Sequence, residues 1–214
     1  MIQQGCLRSC INLNRVGDLS ETEKKIVRLA RHTVAKLLVT TNPALLNTAQ
    51  CMGAIQPLLQ MVRDHESSDL QKFEALLSIT NLASLNEGTK QHIIAEKGIS
   101  ILTYAMFSSH EMVRRAATEA VSNLFPHPKM IEHFQNEENL KVLVAFAADF
   151  NENFECARAA AGCIAMLSQD LKVAQTLIKT KNTGIMIKEV IESGHLDLMH
   201  RILVAVLDSM VHGE

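Results

Sequence analysis

Residues 73–83 read Phe-Glu-Ala-Leu-Leu-Ser-Ile-Thr-Asn-Leu-Ala, and residues 115–125 read Arg-Ala-Ala-Thr-Glu-Ala-Val-Ser-Asn-Leu-Phe. The same pattern returns at 158–168 (Arg-Ala-Ala-Ala-Gly-Cys-Ile-Ala-Met-Leu-Ser) and at 201–211 (Arg-Ile-Leu-Val-Ala-Val-Leu-Asp-Ser-Met-Val). The steps are 42, 43 and 43 residues. In this register Ala75, Ala117, Ala160 and Leu203 form one column. Ile79, Val121, Ile164 and Leu207 form a second, and Leu82, Leu124, Leu167 and Met210 a third. Self-similarity at a fixed period of this length marks a repeat architecture, in which each copy buries its apolar faces against its neighbours.

Upstream of each long segment lies a shorter apolar helix opened by Gly or Asn: Gly53-Ala-Ile-Gln-Pro-Leu-Leu, Gly98-Ile-Ser-Ile-Leu, Asn139-Leu-Lys-Val-Leu and Gly184-Ile-Met-Ile. Gly5-Cys-Leu-Arg, with Lys24 to Val39 as its long helix, looks like one more. Third helices fit at Thr89 to Glu96, Lys129 to Gln135 and Leu171 to Lys179, with polar links at Asp64–Asp69 and Asp149–Asn153. The expected fold is an all-α, right-handed, armadillo-type helical-repeat solenoid. A single array of about five copies spans 1–214, divided as 1–50, 51–95, 96–137, 138–182 and 183–214.

Composition agrees. Gly and Pro together number 13 of 214 residues, too few for a turn-rich β fold. Hydrophobic residues make up 47% and charged residues 21%, which excludes a disordered chain. The net charge of −2, one Tyr and no Trp argue against nucleic-acid binding. No apolar run is long enough to cross a membrane, and the first ten residues lack a signal peptide's apolar core. A cytoplasmic chain is expected, with its five cysteines reduced and mostly buried. The nine histidines are scattered without HExxH or paired Cys/His spacing, and no phosphate-binding or nucleophile-elbow motif occurs. The reading is therefore non-enzymatic, without cofactor or metal. His127, in Phe-Pro-His-Pro, is expected in a rigid turn that ends a long helix.

At 100° per residue, Ala117, Ala120, Val121 and Leu124 share the core side of their helix. The opposite side carries Arg115, Glu119, Ser122 and Asn123. The equivalent side reads Phe73, Leu77, Thr80 and Asn81 one copy earlier, and Arg158, Gly162, Ala165 and Met166 one copy later. This mixture of Phe, Met, Arg and Asn suits a recognition surface better than a solvated face. Asn81 and Asn123 are placed either to bond the backbone of an extended ligand or to brace a neighbouring copy. Arg115, Arg158 and Arg201 form either a charged ladder or local ion pairs. Met166 occupies the slot held by Asn in the two preceding copies.

Three stretches are more specific: residues 69–84, beginning Asp69-Leu-Gln-Lys-Phe; Val113-Arg-Arg-Ala-Ala-Thr-Glu-Ala-Val-Ser-Asn-Leu; and Ala159-Ala-Ala-Gly-Cys-Ile-Ala-Met-Leu. With Asn42-Pro-Ala-Leu and the Gly53 segment, they resemble the UCS domain of the myosin-directed chaperones, the Unc/Cro/She family. The resemblance runs from about Arg28 to the end. It implies a non-enzymatic module that holds the myosin motor domain in a concave groove, assists its folding and prevents its aggregation. Carried over residue by residue, it implies Phe73, Asn81, Arg114, Arg115, Glu119 and Asn123 as client contacts; the groove face adds Leu77, Arg158 and Met166. The family's TPR module, which grips a heat-shock chaperone, has no match here, and the chain reads as a partial UCS domain. A generic armadillo adaptor for extended peptides is the competing reading, but import-type grooves pair Trp with Asn, and this chain has no Trp.

Overall fold

The computed structural model describes residues 5–14 and 17–211. Among the described residues there are helices and connecting turns but no strand. Two compact units, Met1–Ala120 and Val121–Glu214, divide the chain.

The first unit opens with α1 (Cys6–Asn12) and α2 (Glu21–Val39), followed by a short 3-10 turn at Pro43–Leu45. Next come α3 (Thr48–Arg63), α4 (Asp69–Ala83), α5 (Glu87–Ala95), α6 (Gly98–Ala105) and α7 (Glu111–Asn123), the last of which crosses into the second unit. Local chemistry fixes several starts. Ser20 with Glu23, Asn47 with Gln50, and Ser68 with Gln71 each form a reciprocal capping box that satisfies otherwise orphaned amides. Asn42 caps the turn that follows it. The polar link expected over Asp64–Asp69 falls where α3 gives way to α4.

Alternating burial builds one apolar seam through this unit. Val34, Ala35 and Leu38 of α2 are at most 1% exposed, as are Ile55 and Leu58 of α3 and Leu76, Ile79 and Leu82 of α4. Each large side chain removed from water in this way contributes about 1.5–3 kcal/mol. Two polar links join α2 to α4 across one repeat. The buried Ser78 hydroxyl lies 3.0 Å from the Ala35 carbonyl, and His32 Nε2 lies 2.7 Å from Glu74 Oε2. Gln71 Nε2 stands 3.3 Å from the other His32 ring nitrogen and so orients the imidazole.

The second unit contains α8 (Pro128–Phe134), α9 (Glu137–Ala148), α10 (Phe154–Leu167), α11 (Leu171–Lys179), α12 (Thr183–Ser193) and α13 (Leu196–Val211). His127 caps α8, its Nδ1 accepting the Lys129 amide at 3.2 Å. The α10 helix packs on α9 and α13. Its buried run of Ala157, Ala160, Ala161, Gly162 and Cys163 is small enough to let helix axes approach. The link at 149–153 falls between α9 and α10, and α11 has the expected bounds.

Two expectations need correction. Gly53 does not open a helix: it lies inside α3, which begins five residues earlier on the Asn47 cap and carries Pro57 in its interior. The aligned columns also fail in α13, where Leu203, Leu207 and Met210 are 42%, 61% and 68% exposed. The buried stripe is Leu198, Ile202, Ala205 and Ser209 instead. Ile202 follows Ala160 by 42 residues, so this last step matches the first one in length and the 43-residue register is off by one.

Cys51, Cys156 and Cys163 are buried free thiols, and Cys6 and Cys10 are half-buried. Burial pushes the Cys163 thiol up to about 12, so it stays protonated. Burial likewise holds the His133 imidazole below its ordinary range. A histidine kept neutral by folding binds its proton more readily in the unfolded chain. Stability is therefore full above the ordinary value of about 6.5 and declines as pH falls through it, levelling off below the depressed folded value. The unfolding midpoint should be lower at about pH 5.5 than at about pH 7.5, and His133→Gln should narrow the gap. An unchanged gap in the variant would assign the effect to another group.

Candidate functional site

On α4 the residues Phe73, Leu77 and Asn81 recur every fourth position and so run along one side of the helix. All three are half-buried, while Ala75, Leu76, Ser78 and Ile79 turn into the core. No side-chain hydrogen bond holds the Asn81 amide among the described residues; the Ser84 hydroxyl bonds only its backbone carbonyl. The amide keeps donor and acceptor available at the surface.

The corresponding side of α7 carries Arg114, Arg115, Glu119 and Asn123, again all half-buried, with Val113, Ala116, Ala117 and Ala120 in the core. Arg115 Nε donates to Glu119 Oε1 at 3.0 Å, one turn along. Arg114 is directed elsewhere. Its Nη1 donates to the carbonyls of Ser108 and Ser109, both at 3.0 Å, and fastens the link that precedes its own helix.

In the second unit, Arg158 and Met166 of α10 are half-buried as well. Arg158 lies 2.7 Å from Glu155 in the same helix and 3.7 Å from Asp197 at the start of α13. Asp197 also takes Arg201 Nε at 3.1 Å. Between the two groove positions lies Gly162, which is buried: a Cβ built there would stand 2.6 Å from Arg201 Nη1. The missing side chain lets a guanidinium lie directly on the helix. Arg201 thus covers a rung of the expected groove side, and Asp197 anchors it. Sequence reasoning passed over Asp197, although its spacing of four from Arg201 is a legible ion-pair signal.

All nine residues singled out from the sequence thus sit at the margin of the core, neither sealed nor fully solvated. Exposed ion pairs of this kind are worth under about 1 kcal/mol, so the arginines remain available to exchange partners. Together, aromatic, aliphatic, amide, thioether and guanidinium groups can bind a polypeptide by contact and hydrogen bonding. Among the described residues no three His, Cys, Asp or Glu side chains converge on a metal position, and no helix is long and apolar enough to cross a membrane.

Long helices repeating every 42 or 43 residues, with α2 packed on α4 in the first unit and α10 on α13 in the second, define an armadillo-type repeat protein. No family model matches the chain. Over these repeats it is homologous to the UNC-45 proteins. It is 35% identical to the unc-45 homolog B of Xenopus tropicalis over 142 residues, which is 65% of this chain and 15% of that protein. Its structure overlays on UNC-45 from Drosophila melanogaster with a TM-score of 0.89 at 27% identity, covering 99% of this chain and 26% of the fly chain. Another UNC-45 structure, described in terms of features critical for binding and folding muscle myosin, overlays at 0.85 with 24% identity, covering 99% of this chain and 24% of that one. The chain therefore spans between about a seventh and a quarter of the length of the proteins it matches.

Proposed function

We propose that this chain is a myosin-directed chaperone module, which holds segments of the myosin motor domain against half-buried faces of its long helices and keeps them from aggregating. The observation that carries the reading is the recurrence of such a face, described on each helix by itself, on repeats homologous to those of UNC-45. Phe73, Leu77 and Asn81 on α4 have the same helical position as Arg115, Glu119 and Asn123 on α7, and as Arg158 and Met166 on α10. Such a surface offers apolar anchors to an incompletely folded client, amides to its backbone, and charge to its acidic or basic side chains. No catalytic step is invoked, and a heat-shock chaperone would join the assembly through elements outside these repeats. The competing reading, an adaptor for any extended peptide, is favoured by the Asn amides but not by the recurrent arginines.

Light scattering from heated myosin motor domain tests the proposal. Excess chain should suppress the rise, and an unrelated motor-free client such as citrate synthase should be protected less. No suppression at excess would end the chaperone reading. The double variant Asn81→Ala, Asn123→Ala should weaken client binding by about five- to a hundredfold, roughly one side-chain hydrogen bond each, with helicity and melting nearly unchanged. If melting falls in parallel, the two amides brace the fold and do not touch the client.

A further inference from the structure

A second surface lies on the other helices of the first unit. The end of α3, the link after it and the first turns of α6 enclose a cleft of about 340 Å³. Val62 and Ile101 form its apolar lining, and Tyr104, the only tyrosine in the chain, stands 73% exposed at its edge. Every charged or titratable nitrogen at its wall is basic: Arg63, His65 and Lys97 line it, and no carboxylate does.

Glu96, next to Lys97 in sequence, does not line the cleft, and the two acids that flank His65 are held by Arg28. Asp64 lies 3.4 Å and Glu66 3.5 Å from the Arg28 guanidinium. Among the described residues, none of Arg63, His65 and Lys97 has an ion-pair partner. Lys97 is one of two non-glycine residues at positive φ (65°) among the described residues, at the N-cap of α6, so its stem leaves the backbone in a fixed direction. Phe107, 64% exposed, continues the aromatic edge three residues beyond Tyr104.

We infer that this cleft docks a short acidic segment of a protein partner. One apolar side chain of the segment enters between Val62 and Ile101 beneath the Tyr104 ring, and its flanking carboxylates meet Arg63, His65 and Lys97. Charge complementarity selects this occupant. An apolar peptide would leave the Arg63 and Lys97 cations unmatched, and a basic one would meet like charge, which costs binding and slows encounter. The volume accommodates one or two side chains, not a folded domain. This docking is separate from the half-buried faces of α4, α7 and α10 and does not depend on how those faces are used.

The test uses the full chain and a fluorescein-labelled octapeptide of alternating glutamate and leucine, followed by anisotropy. Saturable binding is expected, weakening as salt shortens the screening length. Arg63→Ser with Lys97→Gln should weaken it about tenfold, and Tyr104→Ala about threefold. Asn81→Ala with Asn123→Ala should leave it unchanged. The three altered cleft residues are exposed, so circular dichroism of these variants should match the parent. Equal binding of a lysine–leucine octapeptide, of a glutamate–serine octapeptide, or of the probe to the Arg63, Lys97 variant would overturn the inference. Tighter binding of a single-stranded oligonucleotide of the same charge would overturn it too, and would reassign the patch to nucleic acid.

Discussion

Phe134→Ala should lower the stability of the second unit by about 3–5 kcal/mol, the range for emptying a fully buried phenylalanine site. Phe134 is 1% exposed at the end of α8, its ring centroid 5.7 Å from that of Phe125 and 5.1 Å from that of His133. Alanine would leave a cavity among groups that are already fixed. Phe125 is 4% exposed and Met130, on the preceding turn of α8, is fully buried, so the surroundings have little room to collapse. A helix of seven residues cannot persist without such an anchor. Urea unfolding should show a lower midpoint with little change in slope. Leu171→Ala, at a side chain 48% exposed, supplies the comparison and should stay within about 0.5 kcal/mol. A Phe134→Ala loss as small as that of Leu171→Ala would mean that α8 is held by something other than this ring.

Gly98→Ala should cost about 2–3 kcal/mol, an overpacking penalty outweighing the helix-propensity gain. A Cβ at Gly98 would lie 2.5 Å from the backbone oxygen of Ile93 and 2.6 Å from Ile93 Cγ2. The first of these contacts is main chain, so relief requires α5 or α6 to move. Gly184→Ala is the matching control at the start of α12, where nothing lies within 4 Å of the added carbon. It should be neutral or stabilising by up to about 1 kcal/mol, since alanine favours helix over glycine. Thermal unfolding of the two variants side by side checks the pair, and a similar response from both would show that the α5–α6 contact yields readily.

These two glycines mark the limit of what the sequence carries. Both precede an apolar helix in the same repeat position, and both read there as helix openers. Only the tertiary approach of Ile93 separates them. Where the signal is local the reading was sound: Asp149–Asn153 interrupts an apolar period with polar residues, and the chain does turn between α9 and α10. Where a position depends on neighbours it was not. Gly53 has the same look as Gly98, yet the Asn47 capping box starts its helix earlier. In α13 a one-residue shift in repeat length moved every aligned column off the buried stripe. The candidate faces were legible because Phe73, Asn81, Arg115 and Met166 are an odd set for either a core or a solvated face. Their hydrogen-bond partners were not: nothing at Arg114 announces the carbonyls of Ser108 and Ser109, and nothing at Gly162 announces Arg201.

The division between the two units has a practical side. It falls between Ala120 and Val121, and α7 runs through that point to Asn123. Limited digestion needs a stretch of backbone that can be drawn out into a protease cleft, which a helix interior does not offer. Fragments that survive subtilisin should accordingly end within 107–110 or 124–127, so that each either keeps α7 whole or lacks it entirely. Expression boundaries chosen at residue 120 would sever a helix in its third turn.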